Sequence, residues 1–246
     1  MKAALRLLAI LLLAVITLQV YFAGRILMMR WIAPESTTFE RSEIWRLALE
    51  QHQVLWAQRW VDGDRLSRQL KRAVIASEDS TFVDHGGVDW DAVEKAYAKN
   101  EKAEARAEAR AERNPRARAA PPPAKIVGGS TISQQLAKNL FLSGERHFIR
   151  KGQELLITLM LEALLDKDRI LTLYLNHVEW GEGVFGAEAA AHHYFRESAA
   201  QLGPFESARL AVMLPAPKRF EKRPNSPYVL GRSAVIVARM PAVELP

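Results

Sequence analysis

From Leu7 to Gly24 the chain reads LLAILLLAVITLQVYFAG without a single charge, and no other feature limits its fold so strongly. An apolar run of about 18 residues is long enough to cross a hydrocarbon core as one helix. Lys2 and Arg6 precede the run, and Arg25, Arg30 and Trp31 follow it. Tyr21 and Trp31 fall where interfacial aromatic residues anchor a span, and Thr17 and Gln19 are tolerable within it. Phe22-Ala23-Gly24 is a poor match to a small-x-small cleavage site, so the run reads as a retained anchor. Lys2, Arg6 and the free amine favour a cytoplasmic N-terminus. The expected organisation is a short cytoplasmic tail over 1–6, a membrane anchor over 7–29, and one extracytoplasmic domain over 30–246.

The chain has no cysteine, which excludes a disulfide framework, thiolate zinc sites and a cysteine nucleophile. A formal net charge of +6 suits an anionic partner without separating nucleic acid from phosphorylated lipid. Beyond the anchor, the spacing of Trp45, Leu47, Leu49, Val54, Leu55, Trp56, Trp60, Leu66, Leu70, Ala73 and Val74 suggests helices around a turn at Asp62-Gly63-Asp64. Leu66, Leu70, Ala73 and Val74 share one helical face and should dock on a core. Residues 99–124 are Ala/Glu/Arg repeats closed by three prolines, a solvated, helix-prone insertion ending in a stiff linker. From Thr131 onward the period is helical almost throughout, as at Leu155, Leu156, Leu159 and Ala163. The expected fold class is all-α, with no convincing alternating strands.

Four clusters carry chemistry. Glu78-Asp79 opens the first, followed by Phe82, His85 and Gly86-Gly87. Glu78 is expected at a helix C-terminus, where negative potential raises a carboxylate pKa toward the range of a general base. Phe82 offers apolar cover and His85 a hydrogen bond to a neighbouring carboxylate. The second cluster is GGSTISQQLAKN, Gly128 to Asn139. Thr131 and Gln134 match a capping box, which puts backbone N–H groups at a helix start as an anion site. Ile132, Leu136 and Leu140 form its buried stripe and leave Gln135 and Lys138 available. In the third, Arg146, Arg150 and Glu154 recur at four-residue spacing on one helical face, a second carboxylate among cations. A solvated salt-bridge ladder fits that spacing equally well. The fourth runs from Arg169 to Asn176 and on through the glycines Gly181, Gly183 and Gly186.

In this order, the blocks resemble the glycosyltransferase domain of peptidoglycan polymerases, the lysozyme-like family shared by class A penicillin-binding proteins and monofunctional transglycosylases. ED-x-x-F-x-x-H-x-G at Glu78, GGSTISQQLAKN at Gly128, RK-x-x-E at Arg150 and ILTLYLN at Ile170 carry the resemblance. Ser133 stands where the family usually has Thr, and the Ala/Glu/Arg insertion falls in the family's mobile segment. No Ser-x-x-Lys or Lys-Thr-Gly occurs, so the expectation is the monofunctional enzyme.

The resemblance implies a two-lobed helical domain on the inner (cytoplasmic) membrane. Its substrates would be lipid II and the growing glycan strand, and membrane lipids would surround the anchor. Glu78 and Glu154 would be the catalytic pair. Lys138 and Arg146, with Arg150, would hold the pyrophosphate, and Ser130 and Gln135 would hydrogen-bond phosphate or sugar. Asp79, Phe82, His85 and Asn139 support the motifs. A divalent cation, Mg or Mn, would bind through the substrate pyrophosphate; no metal-ligand spacing in the chain points to one. Cell-division or wall-synthesis proteins are the candidate protein partners. A lytic glycosidase and a non-catalytic membrane scaffold are the rival classes; nucleic-acid binding rests on net charge alone.

Overall fold

The computed structural model describes residues 1–113, 129–142 and 148–246. It is all-α apart from one small hairpin. Helix α1 (Lys2–Met28) is the apolar run made continuous. Every residue from Met1 to Leu18 is exposed, whereas Gln19 is half-buried and Phe22, Ile26 and Met29 are buried. The last turns of α1 are thus shared with the domain core.

Helix α2 (Thr38–Glu50) starts at a formed capping box between Thr37 and Glu40. The apolar residues after it are not a second helix. Residues 51–62 are extended or turning chain, and Trp45, Leu49, Val54, Leu55 and Trp56 are exposed. Trp45, Leu47 and Leu49 do lie on α2, but of the set from Trp45 to Trp60 only Leu47 is fully buried, with Trp60 packed partly buried against the core. Helix α3 (Arg68–Glu78) does dock as its pattern requires: Leu66, Leu70, Ala73 and Val74 are buried. Helix α4 (Trp90–Arg113) takes in the first part of the Ala/Glu/Arg insertion; residues 114–124 of it lie outside the described residues.

The centre is built from α5 (Ile132–Phe141), α6 (Phe148–Leu164) and α7 (Lys167–His177). Every residue from Ile170 to His177 is buried, as a helix wrapped on all sides must be. On α6 the core face is Glu154, Ile157, Thr158 and Leu161, while Leu156 and Leu159 are about half exposed. The helical period read there was right, but those leucines lie on the outer face. Helix α1 packs along α6. Helices α8 (Ala187–Phe195), α9 (Pro204–Met213), α10 (Pro217–Phe220) and α11 (Pro227–Arg239) complete the domain. Helix α9 packs between α3 and α11.

The hairpin, β1 (Glu179–Gly181) with β2 (Val184–Phe185), is too short to leave an alternating signature in sequence. Glu179 on β1 is buried, 3.6 Å from Lys218, which also pairs with Glu43. Burial pushes the Glu179 carboxyl up to about 7 against the ordinary 4.5, with Lys218 opposing and Glu43 and Glu221 adding to the rise. A raised carboxyl pKa favours the protonated folded state. Its stability contribution is therefore present at low pH and is lost as pH rises from about 4.5 through about 7. Glu179→Gln should flatten that slope: between pH 5 and pH 8 its melting temperature should fall less than the parent's, by circular dichroism in detergent.

Candidate active site

A cleft of about 500 Å³ gathers the residues of three separate motifs. Glu78, Ser130, Gln135, Lys138, Arg150 and Glu154 all line it, together with Lys151, Gln134 and Phe39. On the far side of Glu78 lies a smaller chamber of about 200 Å³, lined by Ser77, Ser80, Asp89, Ser130 and Arg239 among others. Glu78 stands in the wall between the two.

Glu78 is the last residue of α3 and is half-buried. Its pKa is raised, as its position at a helix end suggested, but burial is the leading cause and neighbouring Asp79 adds to it. Gln135 and Ser77 oppose the rise by hydrogen bonds. Gln135 Nε2 donates to Glu78 Oε2 at 3.2 Å, and Gln135 Oε1 accepts from the Tyr174 hydroxyl at 3.0 Å. Tyr174 is fully buried on α7, so an inner chain, Tyr174–Gln135–Glu78, fixes the carboxylate's orientation. Gln135 thus spends its carbonyl and one amide proton on this chain, leaving one proton for a ligand.

Asp79 turns away from Glu78. One carboxylate oxygen accepts from Ile132 N at 2.9 Å and the other faces His85 Nε2 at 2.9 Å. His85 Nδ1 accepts from Gly87 N at 3.1 Å, which leaves the ring proton on Nε2 to donate to Asp79. The start of α5, expected to present free N–H groups to a substrate anion, is therefore largely filled by the protein itself. Asp79 takes Ile132 N, and the Thr131–Gln134 capping box takes Gln134 N. Phe82 lies in the core with Lys167 Nζ 4.5 Å from its ring centre, and Asn139 is buried; neither lines the cleft.

The first two motifs are stapled at Gly87. Its carbonyl accepts from Thr131 Oγ1 at 2.6 Å and its φ is +95°. A Cβ there would meet Thr158 Cγ2 at 2.8 Å and Glu162 Cγ at 2.9 Å. Gly87→Ala should cost about 1–3 kcal/mol through positive φ and the clash together. The melting temperature should then drop by roughly 5 °C. Ser133, where the family usually has Thr, donates its hydroxyl to Glu162, which also holds Lys167 at 2.9 Å. A threonine hydroxyl makes the same bond, so the departure leaves this network whole.

The cations come from two helices. Lys138 sits on α5 at the cleft wall, and burial lowers its pKa, with Arg150 and Lys151 also lowering it and Glu154 opposing them. Glu154 is buried on α6 and is held by Arg150 at 3.4 Å and by Lys151. A carboxylate buried among three cations is not a solvated ladder. Lys151, which the four-residue spacing passed over, reaches Glu154 at the i, i+3 position. Phe39 gave no signal, because it enters from α2, ahead of every motif. Arg146 lies outside the described residues. No group of three or more acidic, histidine or cysteine side chains suited to a metal occurs among the described residues. With both Glu154 oxygens taken by cations, the cleft residues do not form a metal site of their own.

The chain matches the transglycosylase family model over residues 48–109 and 117–241. It is 48% identical over 239 residues to a biosynthetic peptidoglycan transglycosylase of Paraburkholderia xenovorans (strain LB400), covering 97% of this chain and 91% of that one. It is 51% identical over 228 residues to the protein of that description from Burkholderia thailandensis, covering 93% of this chain and 82% of the relative. The Burkholderia pseudomallei relative, described in the same words, is 50% identical over 228 residues, with the same coverage. Three motifs meeting in one cleft, and likeness of this extent, make one statement: the chain belongs to the transglycosylase family and is a glycosyltransferase.

Proposed function

We propose that this protein polymerises lipid II into peptidoglycan glycan strands and carries out no peptide cross-linking. The observation that carries the reading is Glu78, a carboxylate of raised pKa in the wall between two chambers, one of them rich in cations. Glu78 takes the proton from the acceptor 4-hydroxyl, and that oxygen attacks C1 of the donor sugar. The C1–O bond to the pyrophosphate breaks, its electron pair leaves with undecaprenyl pyrophosphate, and an α linkage becomes a β-1,4 bond. Lys138, Arg150 and Lys151 receive the developing negative charge, with Arg146 as a further donor. Glu154 orients Arg150 and Lys151 toward the leaving group. Ser130, exposed at the rim, and the remaining amide proton of Gln135 hydrogen-bond the substrate. A divalent ion, Mg or Mn, would arrive with the pyrophosphate as part of the substrate.

In this reading α1 spans the inner membrane once and the domain faces the extracytoplasmic side. The substrate's lipid tail then enters from the bilayer that holds α1. Ile149, Leu156 and Leu159, exposed on the helix beside α1, meet lipid. The test is the purified full-length protein in detergent with labelled lipid II. Glycan ladders that lengthen with time support the reading. Shortening of preformed glycans would point instead to a lytic glycosidase, and no product at all to a scaffold.

A further inference from the structure

Two glutamine side chains, one on the anchor and one on the helix of the second site carboxylate, face each other across the α1–α6 seam. Gln19 Nε2 donates to Gln153 Oε1 at 3.0 Å, and Gln153 Nε2 donates back to Gln19 Oε1 at 3.0 Å. Gln19 is the first half-buried residue of α1, at the point where the helix enters its seam with the domain. At ~1.5 Å rise per residue it lies roughly 9 Å before Arg25, the first cation after the apolar run. An amide at that depth has few water partners, and leaving it unpaired is costly. A reciprocal pair satisfies one donor and one acceptor on each side, and it holds only at one axial register of the two helices. An apolar contact would tolerate sliding.

We propose that Gln19 and Gln153 are positioning residues that set the register of the catalytic helix against the membrane anchor. The inference rests on α1 spanning the membrane and on Glu154 acting in the cleft. Gln153 is the backbone neighbour of Glu154, and Arg150 and Lys151 lie within one turn of it on the same helix. A second contact acts beside it. Phe22 of α1 meets Phe141 edge-on, with ring centres 5.1 Å apart, at the end of the helix that carries Lys138. Arg169 Nε closes the seam by donating to the Met29 carbonyl at 2.7 Å. The anchor thus touches both helices that supply the cations, and the amide pair is its directional contact with α6.

Gln19→Leu provides a clean test, because it makes the span more apolar and so cannot weaken membrane insertion. In the full-length protein reconstituted in vesicles, kcat for lipid II should fall about tenfold, or ~1.4 kcal/mol of activation free energy. KM should stay near the parent value, since neither amide lines the cleft. Gln153→Leu should match it, and the double variant should be no worse than either single one. Moving the amide to a lipid-facing position, in Gln19→Leu/Val20→Gln, should not restore turnover. The chain has no cysteine, so Gln19→Cys/Gln153→Cys adds the only thiols. A short bis-maleimide should join them in membranes far faster than in Val20→Cys/Gln153→Cys. This readout is independent of substrate, so it separates failure of the seam from failure of the polymerase reading. Parental kcat in Gln19→Leu, or single losses that multiply in the double variant, would overturn the positioning role. Equal crosslinking from positions 19 and 20 would overturn the register.

Discussion

Glu78→Gln should polymerise lipid II about 100-fold or more slowly than the parent, the range expected when a general base is removed. Glutamine keeps the size of the side chain, but it cannot take the proton from the acceptor hydroxyl. Its amide must also settle against a neighbouring amide, since Gln135 Nε2 now donates to the carboxylate and Tyr174 holds Gln135 in place. The substituted carbonyl oxygen can accept that bond, so the fold around the site should survive. Binding of a non-reacting lipid pyrophosphate should persist, because no cation of the cleft is touched. The loss should therefore appear in kcat with little change in affinity. Near-parental glycan synthesis by this variant would remove the base assignment, whatever the family membership.

Lys138→Ala should fail differently. In the proposed reaction its ammonium meets charge already present on the pyrophosphate and the extra charge that develops as the bond breaks. Both KM and kcat should therefore suffer, with kcat down by about 100-fold as for loss of one preorganised donor. Burial lowers the Lys138 pKa, and the nearby Arg150 and Lys151 push the same way, so the group loses its proton at lower pH than an ordinary lysine. Activity of the parent should accordingly decline on the alkaline side. In Lys138→Arg, which stays charged there, that decline should be delayed even though the peak rate is lower. An identical alkaline limb in the two proteins would show that another group sets it.

The sequence made the chemistry easier to read than the scaffolding. Glu78, Lys138 and Glu154 stand in motifs whose local order survives folding, and all three line one cleft. The bond of His85 to Asp79 was legible as a histidine beside a neighbouring carboxylate, but the other bonds of Asp79 and Gln135 were not. Each has a side chain whose partner lies far along the chain, on Ile132 for one and Tyr174 for the other. Spacing cannot announce such pairings. The same reason hid Phe39 and the Gln19–Gln153 pair. The α6 leucines gave the helix correctly but not its orientation, because a helical period alone does not say which apolar side chains the core covers. Ile157 and Leu161 are covered by the core, while Leu156 and Leu159 are about half exposed.

The burial of Phe22, Ile26 and Met29 also orders events in time. In the proposed reading, where α1 spans the membrane, these side chains precede the domain in the chain yet pack against α6, Phe141 of α5 and the Arg169 end of α7. On that reading the end of α1 has only lipid to cover it until those helices arrive, and the domain lacks part of its interior until α1 is in place. Insertion and folding would then be one coupled process, completed where the chain leaves the membrane. A fragment begun at residue 30 would carry an open apolar groove in place of that seam. Such a fragment should aggregate or bind detergent, and its instability would measure how much of the domain is made of its own anchor.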